Sequence, residues 1–161
     1  MKRILTLCLL SLALCASLTA QNPIFRKYAD MDEVKYVSIG QSMLQQMAQS
    51  GKSTIGGVDI RGLGPDTPLT NILIISSSQA TVTKQIEADE QALLDAYYAN
   101  LSIVKDGKQS RSAIYFHEDA QTTNRKNRRN ELVMFVTDGP EMTVIVLNGS
   151  FSQREVERMF L

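Results

Sequence analysis

The sequence predicts an α+β fold: a mostly antiparallel sheet of about five or six strands with helices packed mainly on one face. Three observations carry this. Helical and strand patterns alternate through the first part of the chain, and strands then follow in succession, separated by turn residues such as Asp106-Gly107 and Asp138-Gly139-Pro140. Two late segments, Leu132 to Val136 and Val144 to Leu147, are apolar at consecutive positions, so both of their faces need cover. Finally, no cysteine follows Cys15, so a body of this length has to be held by its core and not by cross-links.

The chain of 161 residues opens with Lys2-Arg3, an apolar run from Ile4 to Ala16 and a small-residue exit at Ser17 to Ala20. This is the pattern of a secretory signal peptide over residues 1–20, with cleavage expected between Ala20 and Gln21 and a single domain over 21–161. The apolar run is too short to span a bilayer, and polar Gln21-Asn22-Pro23 follow it, so no spanning helix is expected in the mature chain. Both cysteines, Cys8 and Cys15, fall inside the leader. Leu12-Ala13-Leu14-Cys15 is similar to a lipoprotein processing box, but bulky Leu14 occupies the place of the small residue that precedes an acylated cysteine, which argues against a lipid anchor at Cys15. The 17 basic and 17 acidic residues become 15 and 17 once Lys2 and Arg3 are removed, a mature net charge of −2 that disfavours a nucleic-acid binder.

After the leader, Asn22-Pro23 reads as an N-cap followed by proline at the first helical position, with Phe25, Tyr28 and Ala29 on one face of a short helix. A strand is expected from Val34 to Ile39. From Gln41 to Gln49, Met43, Leu44 and Met47 recur at helical spacing and read as a core stripe. Ser50 to Thr70 holds five of the nine glycines and two of the four prolines, which breaks any periodicity; a long loop is expected, with one short strand at Val58 to Ile60. Asn71 to Ile75 suits a strand covered on both faces. A long helix is expected from Thr81 to Ala99, lined by Val82, Ile86, Leu93 and Tyr97 with Leu94 beside them. Glu90 falls close to that stripe and reads as a helix-edge carboxylate reaching solvent.

An antiparallel meander follows: Leu101 to Lys105, Arg111 to His117, Asn130 to Thr137 and Met142 to Leu147. Asn148-Gly149 ends it. Ser152 and Glu155 have the spacing of a capping box, and Phe151 with Val156 that of a hydrophobic staple, so a final helix is expected with Val156, Met159 and Phe160 on one face.

No catalytic signature emerges. Gly51-Lys52-Ser53-Thr54 lacks the upstream glycine of a phosphate-binding loop, Gln46 standing there; Gly62-Leu63-Gly64 lacks the third glycine of a dinucleotide fingerprint; Gly40-Gln41-Ser42 lacks the closing glycine of a nucleophile elbow. His117 is the single histidine, followed by Glu118 and Asp119 at a strand end. Neighbouring strand residues point to opposite faces and no second histidine or cysteine completes a zinc set, so neither a metal nor another cofactor is expected, and His117 reads as an exposed strand-end residue. The strongest charge feature is Asn124 to Arg129, which puts Arg125, Lys126, Arg128 and Arg129 at a tip between two strands. Such a cluster suits a phosphate, a sulfated sugar or an acidic protein, and equally a solvated loop; it has no interleaved aromatics for stacking single-stranded nucleic acid.

Phe25 with Tyr28, Val37-Ser38-Ile39 leading into Met43-Leu44 and Met47, Ile72 to Ile75, and above all Glu131-Leu132-Val133-Met134 and Thr143-Val144-Ile145-Val146-Leu147-Asn148-Gly149 resemble the small exported Bacteroidetes proteins grouped as domain of unknown function 4252. The resemblance implies an exported or lipid-anchored envelope protein. The functional expectation is a non-enzymatic envelope protein, periplasmic or outer-membrane-associated, that binds or regulates an envelope protein partner. The alternative is a periplasmic hydrolase or ligand-processing enzyme using His117 with nearby carboxylates.

Overall fold

A computed structural model of the chain describes residues 23–50, 54–55, 58–59, 69–96, 98–106, 110–119 and 128–160. The expected signal peptide, the Ala20–Gln21 cleavage point, Cys15 and the Asn22 cap lie outside the described residues. Helix α1 (Pro23–Arg26) runs into a 3-10 turn (Lys27–Asp30), followed by β1 (Lys35–Gly40), α2 (Gln41–Gln49), β2 (Thr54–Ile55), β3 (Val58–Asp59), β4 (Leu69–Ser77), α3 (Ala80–Asp95), β5 (Ala99–Asp106), β6 (Ser110–His117), β7 (Asn130–Asp138), β8 (Glu141–Gly149) and α4 (Gln153–Phe160). Six strands form one sheet in the order β1-β4-β8-β7-β6-β5, antiparallel throughout, and β2 and β3 pair as a separate small ribbon. The fold is α+β.

The two apolar runs occupy the centre of the sheet, where the pleat sends alternate residues to opposite faces. Val133 and Phe135 of β7, with Val144 and Val146 of β8, join Phe25, Tyr28, Val82, Ile86 and Leu93 in a core under α1 and α3. Leu132, Met134, Ile145 and Leu147 join Leu44, Phe151 and Val156 in a second core on the other face. The main helical layer is therefore α1 with α3, while the shorter α2 and α4 contribute to the opposite face. A two-residue connection links β7 to β8, pairing Asp138 with Glu141 across Gly139 and Pro140. Gly139 takes φ +57, a left-handed conformation that spares a Cβ, and proline fits the negative-φ position after it.

The capping box forms as expected. The Ser152 N–H and hydroxyl donate to Glu155 Oε2 at 2.6 and 2.7 Å, and the Glu155 N–H donates to Ser152 Oγ at 3.4 Å. Phe151 and Val156 are both buried beside it, as the staple requires; the side chains of Met159 and Phe160 lie outside the described set.

Three expectations need correction. Helix α3 stops at Asp95 and not at Ala99, because Ala99 and Asn100 are taken up by pairing with Phe116 and Tyr115 of β6, and the Tyr98 N–H turns back to the Leu93 carbonyl at 3.2 Å. Tyr97 lies outside the described residues. Met43 is 54% exposed: α2 is short and sits against the β1–β4 border, so only Leu44 and Met47 reach the core. Leu69 and Thr70 belong to β4 and not to the loop before it; of the short strand expected at Val58 to Ile60, Val58–Asp59 form β3 against β2, and Ile60 lies outside the described residues.

Candidate functional site

The face covered by α1 and α3 carries two polar groups, and they differ in how completely their hydrogen bonds are made. The first is centred on adjacent carboxylates of α3. Asp89 accepts the Lys27 ammonium at 2.7 Å and the Tyr28 hydroxyl at 2.5 Å. Glu90 accepts both Arg111 guanidinium nitrogens, at 2.6 and 2.8 Å, and the Tyr115 hydroxyl at 2.5 Å. Glu90 is thus buried and fork-bonded, not the solvent-reaching carboxylate the helix pattern suggested. Its partners come from β6, across the sheet interface, where helical periodicity carries no information. Burial, the hydrogen bond to Glu90 and its charge push the Tyr115 hydroxyl up to about 12. Burial and Asp89 raise Tyr28 in the same way, and the hydrogen bond to Glu90 raises Arg111. Each carboxylate meets one cation and one phenol, so the set works as two pins holding α3 to the 3-10 turn and to β6.

The second group is a polar row across the far end of the same face. Residues directly opposite in antiparallel strands share a face, and the register sets Asn71 beside Asn148, Asn148 beside Glu131, and Glu131 beside His117. Glu131 is 5% and Asn148 3% exposed; Asn71, His117 and Tyr98 at the flanks are half-buried. The Tyr98 hydroxyl donates to Glu131 Oε1 at 2.6 Å, and its ring stacks on the His117 imidazole with centroids 4.9 Å apart and planes 30° apart. The Nδ2 atoms of Asn71 and Asn148 are both buried without a hydrogen-bond partner among the described residues. The β4–β8 register slips between Leu69 and Asn71, and the Thr70 hydroxyl there donates to the Asn148 carbonyl at 3.2 Å, so a bulge re-aims the chain just where Asn71 enters the row.

His117 is therefore half-buried and stacked, not the exposed residue expected at a strand end. No described hydroxyl is hydrogen-bonded to it, and Glu118 and Asp119 turn elsewhere: Glu118 pairs with Arg128 at 2.7 Å, and Asp119 accepts the Arg129 N–H at 3.2 Å. Of the basic tip, Arg128 is engaged by Glu118 and Arg129 is exposed, while Arg125 and Lys126 lie outside the described residues. Among the described residues, no group of three or more His, Cys, Asp or Glu side chains could hold a metal ion. No described helix is long and apolar enough to cross a membrane.

Sequence reasoning passed over Asn71, Tyr98, Glu131 and Asn148. A signal did exist for two of them. Counting equally outward from Gly139-Pro140 reaches Glu131 and Asn148 together, and a carboxylate opposite a carboxamide beside the apolar runs Leu132 to Val136 and Val144 to Leu147 is an anomaly.

A family model described as a domain of unknown function, DUF4252, matches residues 28–159, and the chain belongs to that family. Comparisons with curated proteins and with solved structures gave no match.

Proposed function

We propose that this DUF4252 member is a non-enzymatic binding or regulatory module of the cell envelope, exported by the leader of residues 1–20 to the periplasm or the outer-membrane surface, with the Asn71–Asn148–Glu131–His117 row as its recognition site. One observation carries the reading: among the described residues, the two buried side-chain polar atoms without a hydrogen-bond partner are carboxamide nitrogens of Asn71 and Asn148, side by side in the sheet. A buried donor left unpaired destabilises a fold by about 1–3 kcal/mol. A binding partner that supplies acceptors would recover that energy, so the folded chain is poised for a ligand. Lipidation at Cys15 is not part of this reading, because Leu14 disfavours it.

Linkage provides the test, since whatever binds the folded state alone raises its melting temperature. A soluble extract of the envelope is expected to raise the Tm of the wild-type chain and leave that of Asn148→Leu unchanged; equal shifts, or none, overturn the proposal. A hydrolytic role for His117 is separated by assaying broad hydrolase substrates. Turnover by the wild type that disappears in His117→Ala would replace the binding reading with a catalytic one.

A further inference from the structure

The six-stranded sheet has two edges, β1 and β5, and they are built differently. An open edge invites pairing with another chain, and proteins blunt it with bulges, prolines or charges. β5 is blunted: its register slips between Asn100 and Ser102, and its sequence closes on Lys105-Asp106. β1 is not. It pairs with β4 without a slip, from Lys35 opposite Ser76 to Gly40 opposite Asn71, and no described strand lies on its outer side. From Tyr36 to Ser50 the sequence holds no charged residue, although Asp, Glu, Lys and Arg make up 21% of the chain. That stretch is not hidden. Ser38, Gly40 and most of α2 are exposed, Met43 by 54%. Surface that is depleted of charge and carries methionine has the composition of an interface core.

Gly40 adds an independent observation. With φ −82 and ψ 170 its backbone suits any residue, and a Cβ built on it meets no atom within 4 Å. It is the N-cap of α2 and makes no side-chain cap, so serine or aspartate would serve that helix at least as well. Among the described residues nothing calls for glycine there, and glycine in a strand also marks the place where another chain comes close.

We propose that β1 pairs antiparallel with β1 of a second copy of this chain, about a twofold axis at Ser38, so that two sheets become one. Residues opposite one another in antiparallel strands share a face. In this register Ser38 meets its own counterpart, each Val37 stands opposite an Ile39, and each Tyr36 opposite a Gly40. Val37 and Ile39 belong to the core under α2, so apolar side chains meet apolar ones on that face. Tyr36 packs against the core under α3, and Gly40 leaves open the space that the ring of the facing tyrosine fills. A second copy fits better than an extended segment of another protein because the match is self-complementary and closes with two chains. The contact goes beyond the binding-module reading and does not depend on it.

Sedimentation equilibrium on the protein expressed from its full 161-residue sequence tests this, and a monomer–dimer equilibrium is expected. Ser38→Lys and Ser38→Glu each set like charges opposite one another at the axis and should weaken the dimer by about fivefold or more. An equimolar mixture of the two sets opposite charges there and should restore it. Glu87→Lys, on the exposed side of α3, should leave it unchanged. Circular dichroism shows whether each variant is folded; Gly40→Val, which fills the space left for the tyrosine ring, replaces one that is not and should also weaken the dimer. A chain that stays monomeric up to about 1 mM leaves the edge to a segment of another protein. A dimer indifferent to the substitutions at Ser38, or weakened by them and not restored by mixing, has its contact elsewhere. Each of these results overturns the proposal.

Discussion

Asp89 and Glu90 at one end of the α3-covered face, and Asn148 at the other with half-buried Asn71 beside it, lie in the same layer, yet only the carboxylates are matched atom for atom. Charged groups are far harder to bury than amides, so the intuitive expectation is that the carboxylates would be the weak point. The opposite arrangement holds. Each carboxylate has a cation and a phenol, and each carboxamide keeps an idle donor. Polar groups that serve the fold are completed from within it; the proposed reading takes the incomplete ones as the place where the molecule meets a partner.

That contrast can be broken by mutation. The largest effect is expected from Glu90→Ala, which strands the Arg111 guanidinium and the Tyr115 hydroxyl against the core: a loss of about 3–5 kcal/mol, read by urea unfolding. A loss under about 1 kcal/mol would show that the pin is ornamental. Asp89→Ala should cost less, about 2 kcal/mol, since Lys27 stays largely in solvent and only the Tyr28 hydroxyl is left buried and unpaired.

Alkaline pH attacks the same group more gently. The folded state holds the Tyr115 proton up to about pH 12, whereas the unfolded chain releases it near the usual tyrosine value of about 10. Stability from this group is therefore complete below about pH 10 and declines as pH rises towards 12, because the unfolded state sheds its proton first. Tyr28 moves in the same direction. Tyrosinate absorbance should lag for these two residues until unfolding; early, simple titration of all tyrosines would contradict the burial described. The smallest effect has the opposite sign. Asn148→Leu removes an idle donor and should stabilise the ligand-free chain by about 1 kcal/mol, measured by the same unfolding curves, where the carboxylate variants all destabilise. A destabilisation of that size would mean the amide is already serving the fold.

Local chemistry made much of the architecture legible. The bounds of α2, the Ser152–Glu155 box and the tight turn at Gly139-Pro140 each depend on residues within a few positions of one another. The central place of β7 and β8 was also legible, because consecutive apolar residues can only be sheltered on two sides. What stayed hidden was set by distant partners. Glu90 resembles an ordinary helix-edge glutamate until Arg111 and Tyr115 arrive from β6, and Asp89 until Lys27 and Tyr28 arrive from the start of the domain. The row was obscured for a different reason. Asn71, Glu131 and Asn148 sit at strand ends, where polar residues normally signal only that a strand is stopping, and it takes the register of four strands to line them up with His117. Tyr98 was passed over within a segment that helical spacing carried as far as Ala99.

The pairing of β4 with β8 also sets an order of assembly. Strands β5 to β8 form a contiguous meander that can zip from neighbour to neighbour, but β4 and β1 join the sheet only through the strand that is synthesised last. Until Glu141 to Gly149 have emerged, the β1–β4 pair has nothing to join it to the β5–β7 meander, and β7 lacks its inner neighbour. Closure thus waits for sequence-distant contacts, the kind that slow folding. A chain built this way cannot complete its six-stranded sheet until the last of these strands is free to bridge the two halves.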